Sequence, residues 1–167
     1  NDEANPQRSL QLAQRLVTND GAAVVLGTVN SGSVAAFAPY LQQAKVPLMA
    51  GPAAATEITS NFNTQSPSYI FRCSMVEKHQ VDVVLDYAVA KSKKIGILHS
   101  TGGYGMFASK ALQEGLAARG LKAVEVQSSQ VDANDLSPQI LRLRASGAEV
   151  LLQFHEGFEA VFRSLEK

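Results

Sequence analysis

The residues able to do chemistry fall in four short stretches rich in glycine and hydroxyls. They are Gly27-Thr28-Val29-Asn30-Ser31-Gly32-Ser33, Gly51-Pro52-Ala53-Ala54-Ala55-Thr56, His99-Ser100-Thr101-Gly102-Gly103-Tyr104-Gly105 and His155-Glu156-Gly157. None contains a lysine or arginine. A serine hydroxyl beside helix N-terminal amides can hold a carboxylate without a full counter-charge, whereas a phosphate more often wants a cation as well. No G-x-G-x-x-G, G-x-x-x-x-G-K-[ST] or G-x-S-x-G occurs, so dinucleotide, nucleotide and esterase chemistry each lack their marker. No cysteine or histidine cluster has metal-ligand spacing, so neither a metal nor a cofactor is expected. No base–nucleophile pair stands at plausible spacing, and no catalytic residue is assigned: the expectation is a protein that binds rather than an enzyme.

Composition narrows the classes further. Across 167 residues, 46% are hydrophobic and 18% charged, as in an ordinary globular protein. Fifteen basic residues cancel fifteen acidic ones, and no basic run interleaves with aromatics, which argues against nucleic acid as a partner. The only cysteine, Cys73, has no partner for an intramolecular disulfide and is expected to pack as a small buried hydrophobe. No apolar run reaches the roughly 18 residues a spanning helix needs.

Apolar spacing supplies the elements that must position the four stretches. Asn5-Pro6 opens a helix with Leu10, Ala13, Leu16 and Val17 as its stripe, stopped by Gly21. A strand over 22–26 leads into the first stretch, and Val34, Phe37, Ala38 and Leu41 then recur at helical spacing. A strand over 46–50 leads into the second, followed by a polar loop from Thr59 to Ser68 and a short strand over 69–72. Val81, Val84, Leu85 and Ala88 mark a helix, and the strand 95–99 leads into the third stretch. Phe107, Ala111, Leu112 and Leu116 mark the next helix, then a strand over 123–127, a helix with Leu136, Ile140 and Leu143, and a strand over 149–154. Phe158, Val161, Phe162 and Leu165 form the last stripe. Apolar strands alternating with helices predict an α/β fold with parallel sheet order. Ligands of such sheets sit beyond the carboxyl ends of the strands, where the four stretches lie. The chain opens on a helix without its strand and closes on one with no strand after it, so it reads as an interior segment of a longer protein.

The ordered motifs resemble a known family. Asp2-Glu3-Ala4-Asn5-Pro6 precedes a helix; Gly27 with Asn30-Ser31-Gly32 and Val46-Pro47-Leu48-Met49 with Thr56-Glu57-Ile58-Thr59 follow. Then come Tyr69-Ile70-Phe71-Arg72, Tyr104-Gly105, Asp132-Ala133-Asn134-Asp135-Leu136-Ser137 and Gly147-Ala148-Glu149-Val150. This succession is similar to the branched-chain amino acid (leucine/isoleucine/valine-type) solute-binding proteins, the type I periplasmic binding proteins. The resemblance implies a two-lobed type I fold with Rossmann-like parallel sheets flanked by helices, partial in this chain. Residues 1–71 would be part of the N-terminal lobe and 72–167 part of the C-terminal lobe, with Phe71-Arg72 at a hinge crossover or in packing.

The same resemblance implies a small-molecule ligand in the inter-lobe cleft, a branched-chain amino acid or another carboxylate, enclosed by hinge closure. It implies a periplasmic (or extracellular, membrane-associated) location and a partner in the membrane permease of an ABC importer. Ser31, with Asn30 and Gly32, matches the family position that binds a ligand's carboxylate; serine there is also a plain helix cap. Pro52, Ala53 and Ala54 match the second ligand loop. Amino-acid binders use a threonine hydroxyl where Ala54 stands, which leaves room for an aromatic or aliphatic acid. Tyr104 matches a tyrosine that closes over the ligand, against a plain packing role. His155 and Glu156 follow the last strand where the family places a ligand-contacting side chain, against a solvated loop pair. His99 reads as a core histidine and His79 as surface. Two alternatives stand: a ligand-sensing regulator or receptor domain on the same fold, and an enzyme using the Gly102-Gly103 loop for a nucleotide.

Overall fold

An asparagine with a proline after it starts a helix because the side-chain oxygen takes a free N–H while the proline lacks one to leave unpaired. The computed structural model describes residues 1–166, and α1 spans Pro6–Thr18, with Asn5 Oδ1 accepting from the Arg8 N–H at 3.0 Å. Two compact units divide between Glu77 and Lys78.

In the first unit, α2 (Ser31–Ala44) follows β1 (Val25–Leu26), and α3 (Glu57–Ser60) lies between β2 (Leu48–Ala50) and β3 (Ile70–Arg72). The sheet is parallel, in the order β1-β2-β3, with Leu48 opposite both Val25 and Ile70. Val34, Phe37, Ala38 and Leu41 all lie in the core with Leu48, Ala50, Ile58 and Ile70. Each fully buried large side chain contributes on the order of 1.5–3 kcal/mol. β1 is shorter than the sequence suggests and is not buried on both faces: Leu26 is 75% exposed. The reason is its place at the edge of the sheet, paired with β2 alone. Part of the stretch read as polar loop is helical, because α3 runs to Ser60. Leu16, expected in the α1 stripe, is also largely exposed.

The second unit contains α4 (from Glu77 to Lys91), β4 (Ile95–Ser100), α5 (Gly103–Ala118), β5 (Glu125–Ser129), α6 (Ser137–Ala145), β6 (Val150–Phe154) and α7 (Phe158–Leu165). Its sheet is parallel in the order β5-β4-β6. Successive residues of a strand face opposite ways, so central β4 must bury both faces. Ile95 and Ile97 join Val81 and Leu85 of α4 and Leu112 and Leu116 of α5, whereas Leu98 joins Ile140 and Leu143 of α6 and Val161 of α7.

Two expectations are corrected. Cys73 is exposed rather than buried: it follows the last paired residue of β3, beyond cover of the sheet. The last stripe is rotated, with Ala160, Val161 and Ser164 buried and Phe158 and Phe162 exposed. Ser164 Oγ accepts from the buried Leu136 N–H at 2.9 Å, and satisfying that donor turns the serine inward.

α5 rises so close to β4 that a Cβ on Gly105 would overlap the backbone N and O of Ser100. Gly105→Ala is therefore expected to cost about 1–3 kcal/mol by overpacking, measured as a lower urea midpoint with an unchanged slope. A midpoint equal to wild type would show that the helix can shift at no cost.

Candidate functional site

Strand ends bring hydroxyls and backbone N–H groups together in the first unit. Asn30, not Ser31, caps α2: its Oδ1 accepts from Gly32 N at 2.9 Å and Ser33 N at 3.3 Å. Ser31 takes the first helical position, is buried, and its Oγ accepts from Ala55 N at 3.3 Å. That bond ties the turn after β1 to the loop after β2. Ala53, Ala54 and Ala55 are buried, and Pro52 is exposed. Ser31, Ala53 and Ala54 keep backbone N–H groups without an acceptor among the described residues.

Arg72 holds this loop from behind. Its Nη1 donates to Ala54 O at 2.8 Å, Nη2 to Thr56 O at 3.1 Å and to Thr59 Oγ1 at 2.6 Å, and Nε to Thr59 Oγ1 at 3.1 Å. Ser74 Oγ donates to Ala53 O, and the Glu77 N–H to Ala54 O, both at 2.8 Å. The Glu77 side chain is 1% exposed, and its Oε1 has no hydrogen-bond partner among the described residues. Arg72 makes its four hydrogen bonds to the loop and to Thr59, so it attracts Glu77 without bonding it. Burial first, then the Glu57 carboxylate, push the Glu77 carboxyl up to about 7 against that attraction. Burial likewise pushes the Arg72 guanidinium down, with Glu77 and Glu57 opposing. Sequence reasoning gave Arg72 only a hinge or packing role and missed Ser74 and Glu77 altogether. An acid in the first turn of a helix ordinarily serves the helix dipole in solvent, and only the fold reveals that this one is enclosed.

In the second unit Tyr104 sits in the first turn of α5, half-buried, its ring centroid 5.7 Å from that of Phe154. His155 is fully buried. Its Nδ1 accepts from Gly157 N at 2.9 Å, which places the ring proton on Nε2, 2.8 Å from Ser129 Oγ and 3.2 Å from Gln130 O. The ring thus joins the ends of β5 and β6. Glu156 is half-buried, and both its carboxylate oxygens are covered without a hydrogen-bond partner among the described residues. It lies against Gly102, where a Cβ would come 3.0 Å from Oε1. This puts an acid at the N-terminus of α5, the position a phosphate would need. His99 is half-buried, with Nδ1 2.8 Å from Ser100 O, and His79 is exposed. One pair escaped the sequence reading: Tyr87 and Lys91 have the Tyr-x-x-x-Lys spacing of short-chain dehydrogenases. They form a surface contact on α4, with Lys91 Nζ 5.2 Å from the ring centroid of the 69%-exposed Tyr87, away from any strand end. Among the described residues no group of three or more metal-ligating side chains occurs, and no helix is long and apolar enough to cross a membrane.

Comparison with known proteins agrees with this architecture. A family model described as "Periplasmic binding protein" matches residues 1–162. Leu/Ile/Val-binding protein homolog 6 of Brucella abortus (strain 2308) is 31% identical over 153 residues, covering 91% of this chain and 38% of that protein. A solute-binding protein of an ABC transporter from R. palustris, solved in complex with 4-hydroxybenzoate, shares 30% identity at a TM-score of 0.76, over 91% of this chain and 40% of its own. A periplasmic binding protein type 1 from Bordetella pertussis Tohama I superposes at a TM-score of 0.85 over 99% of this chain and 46% of its own; at 20% identity it speaks for the fold alone. The chain spans less than half the length of each of these relatives.

The Glu77 environment sets a pH dependence. Unfolded, the carboxyl ionises near 4.5; folded, near 7. Between these values the native state binds the extra proton, so stability falls as pH rises through the window and the loss is complete above about 7. Glu77→Gln should flatten that decline and leave the variant more stable by roughly 2–3 kcal/mol at about pH 8. Denaturant unfolding of both proteins across the window checks it; parallel profiles would show that Glu77 is not the titrating group.

Proposed function

The chain belongs to the periplasmic binding protein family, and from that premise we propose that the complete protein captures a small carboxylate-bearing solute for an ABC importer. The observation that carries the reading is the Ser31–Ala55 hydrogen bond. It gathers the Ser31 hydroxyl and the unclaimed N–H groups of Ser31, Ala53 and Ala54 at the carboxyl end of one parallel sheet. Such groups hold an anion by charge-assisted hydrogen bonds. Support also comes from two relatives, one named as a Leu/Ile/Val-binding protein homolog and the other solved with 4-hydroxybenzoate, both ligands carrying a carboxylate.

The mechanism proposed needs no covalent step. The first unit binds the carboxylate through the Ser31 hydroxyl and the Ser31, Ala53 and Ala54 amides, while Gly32, its N–H held by Asn30 Oδ1, shapes the turn. Tyr104 of the second unit then covers the ligand's body as the two units close by hinge rotation, and binding stabilises the closed state. A closed, loaded protein in the periplasm is what a membrane permease would recognise. His155, with both ring nitrogens engaged, and Asn30, whose Oδ1 holds the Gly32 and Ser33 N–H groups, serve by shaping the loops, and Glu156 flanks the Tyr104 turn.

A thermal-shift screen of the complete protein against carboxylic acids, amino acids, amides and nucleotides tests this reading. A true ligand at a hundredfold excess over its Kd adds about 2.7 kcal/mol of stability. Ser31→Ala should then weaken that ligand by about 10–100-fold in calorimetry, as expected for one hydrogen bond to a charged group. Stabilisation by nucleotides alone, unchanged in Ser31→Ala, would replace this proposal with the nucleotide enzyme.

A further inference from the structure

We infer that Glu77 is a positioning residue whose proton governs the loop after β2, so that the first unit takes up a proton there as it captures an anionic ligand. The inference rests on the carboxylate reading above and couples a proton to it. One peptide unit joins the two. The Ala55 N–H donates to Ser31 Oγ at 3.3 Å, and the carbonyl at its other end, Ala54 O, accepts from Arg72 Nη1 and from the Glu77 N–H, both at 2.8 Å. The Ser31 hydroxyl and the Ala54 N–H, assigned above to the ligand, are thus fixed by a backbone that Arg72 and Glu77 grip from the other side. Glu77 is 1% exposed, and its Oε1 has no hydrogen-bond partner among the described residues.

Three elements set the charge around it. Arg72 at the end of β3 attracts the carboxylate and Glu57 at the start of α3 repels it; on its own helix α4, the exposed Lys78 bonds Asp82 at 2.7 Å. The loop from Gly51 to Thr56 carries no charge. A neutral acid suits this enclosure, whereas a carboxylate there is a buried charge short of a hydrogen bond. Arg72 can supply it. A guanidinium has five N–H groups, and the four bonds to the loop and Thr59 leave one on Nη1. When Glu77 ionises, that N–H turns toward it and the same nitrogen is drawn off Ala54 O. The new charge also repels a carboxylate held at the amides in front. Both effects weaken capture, and by linkage a bound anion strengthens the hold of Glu77 on its proton. Burial and Glu57 already push the acid up to about 7, so it is part-ionised near neutrality without ligand. Affinity is full below that value and falls as pH rises through it, until the liganded acid ionises too.

Calorimetry on the complete protein with leucine and with benzoate tests this, in buffers of small and large ionisation heat at about pH 7.5. The wild type is expected to take up about half a proton per ligand and to bind roughly tenfold more weakly at about pH 9 than at about pH 6, as a one-unit rise in the liganded acid dictates. Glu77→Gln, neutral at every pH, should lose both effects; any proton the probe itself exchanges is common to the two proteins. Glu57→Gln removes the repelling carboxylate and should move the maximum of uptake to lower pH, which a merely structural role for Glu77 does not predict. Uptake that is absent, or is the same in wild type and Glu77→Gln while a probe binds, overturns the inference and leaves carboxylate capture standing. Failure of both probes to bind at any pH removes carboxylate capture itself, and the inference with it.

Discussion

A loop of three alanines has no side-chain means of holding its own shape, so its conformation depends on what bonds to its backbone. Here that task falls to the guanidinium of Arg72, which reaches forward from the end of β3 to Ala54, Thr56 and Thr59. Arginine suits the place because its planar fork presents several donors in fixed directions and stays charged when partly desolvated. The arrangement exacts a cost next door. Glu77 lies enclosed beside a cation whose four hydrogen bonds all go to the loop and to Thr59, and its carboxyl holds a proton to an unusually high pH. The order of the alanine loop and the raised proton affinity of that acid are one interaction seen from two sides.

Much of the fold was legible because periodicity reports burial directly. The stripe Val34, Phe37, Ala38, Leu41 and the run from Ile95 to Leu98 are buried as their spacing implies. Failures occurred where something other than apolar burial decided the orientation. In α7, Ser164 turns inward to satisfy the Leu136 N–H, and two phenylalanines face out as a result. In β1, sheet-edge position overrode an apolar run, a fact no local pattern contains.

The candidate site was legible in its location but not in its wiring. Strand-end glycines and serines identified the turns, since parallel sheets present their ligand face there. Which atoms remain free on those turns depends on partners 16 to 24 positions away, such as Arg72 on Ala54 and Thr56 and Ser31 on Ala55. His155 makes the same point in the second unit. Its position at a strand end suggested contact with a ligand, yet the ring is enclosed and spends both nitrogens joining two loops. Residue type and place along the chain mark a site; only the count of bonds tells which groups face outward.

The hold on the alanine loop's carbonyls from behind has a bearing on how such proteins diverge. A mutation at Ser74 alters what the loop can accept without changing any side chain on its surface, since the serine acts on Ala53 O from the rear. Two descendants of one ancestor could share every residue that lines the binding face and still part company in what they carry. The backbone groups such a loop offers are then set by the residues that follow β3 as much as by the loop itself.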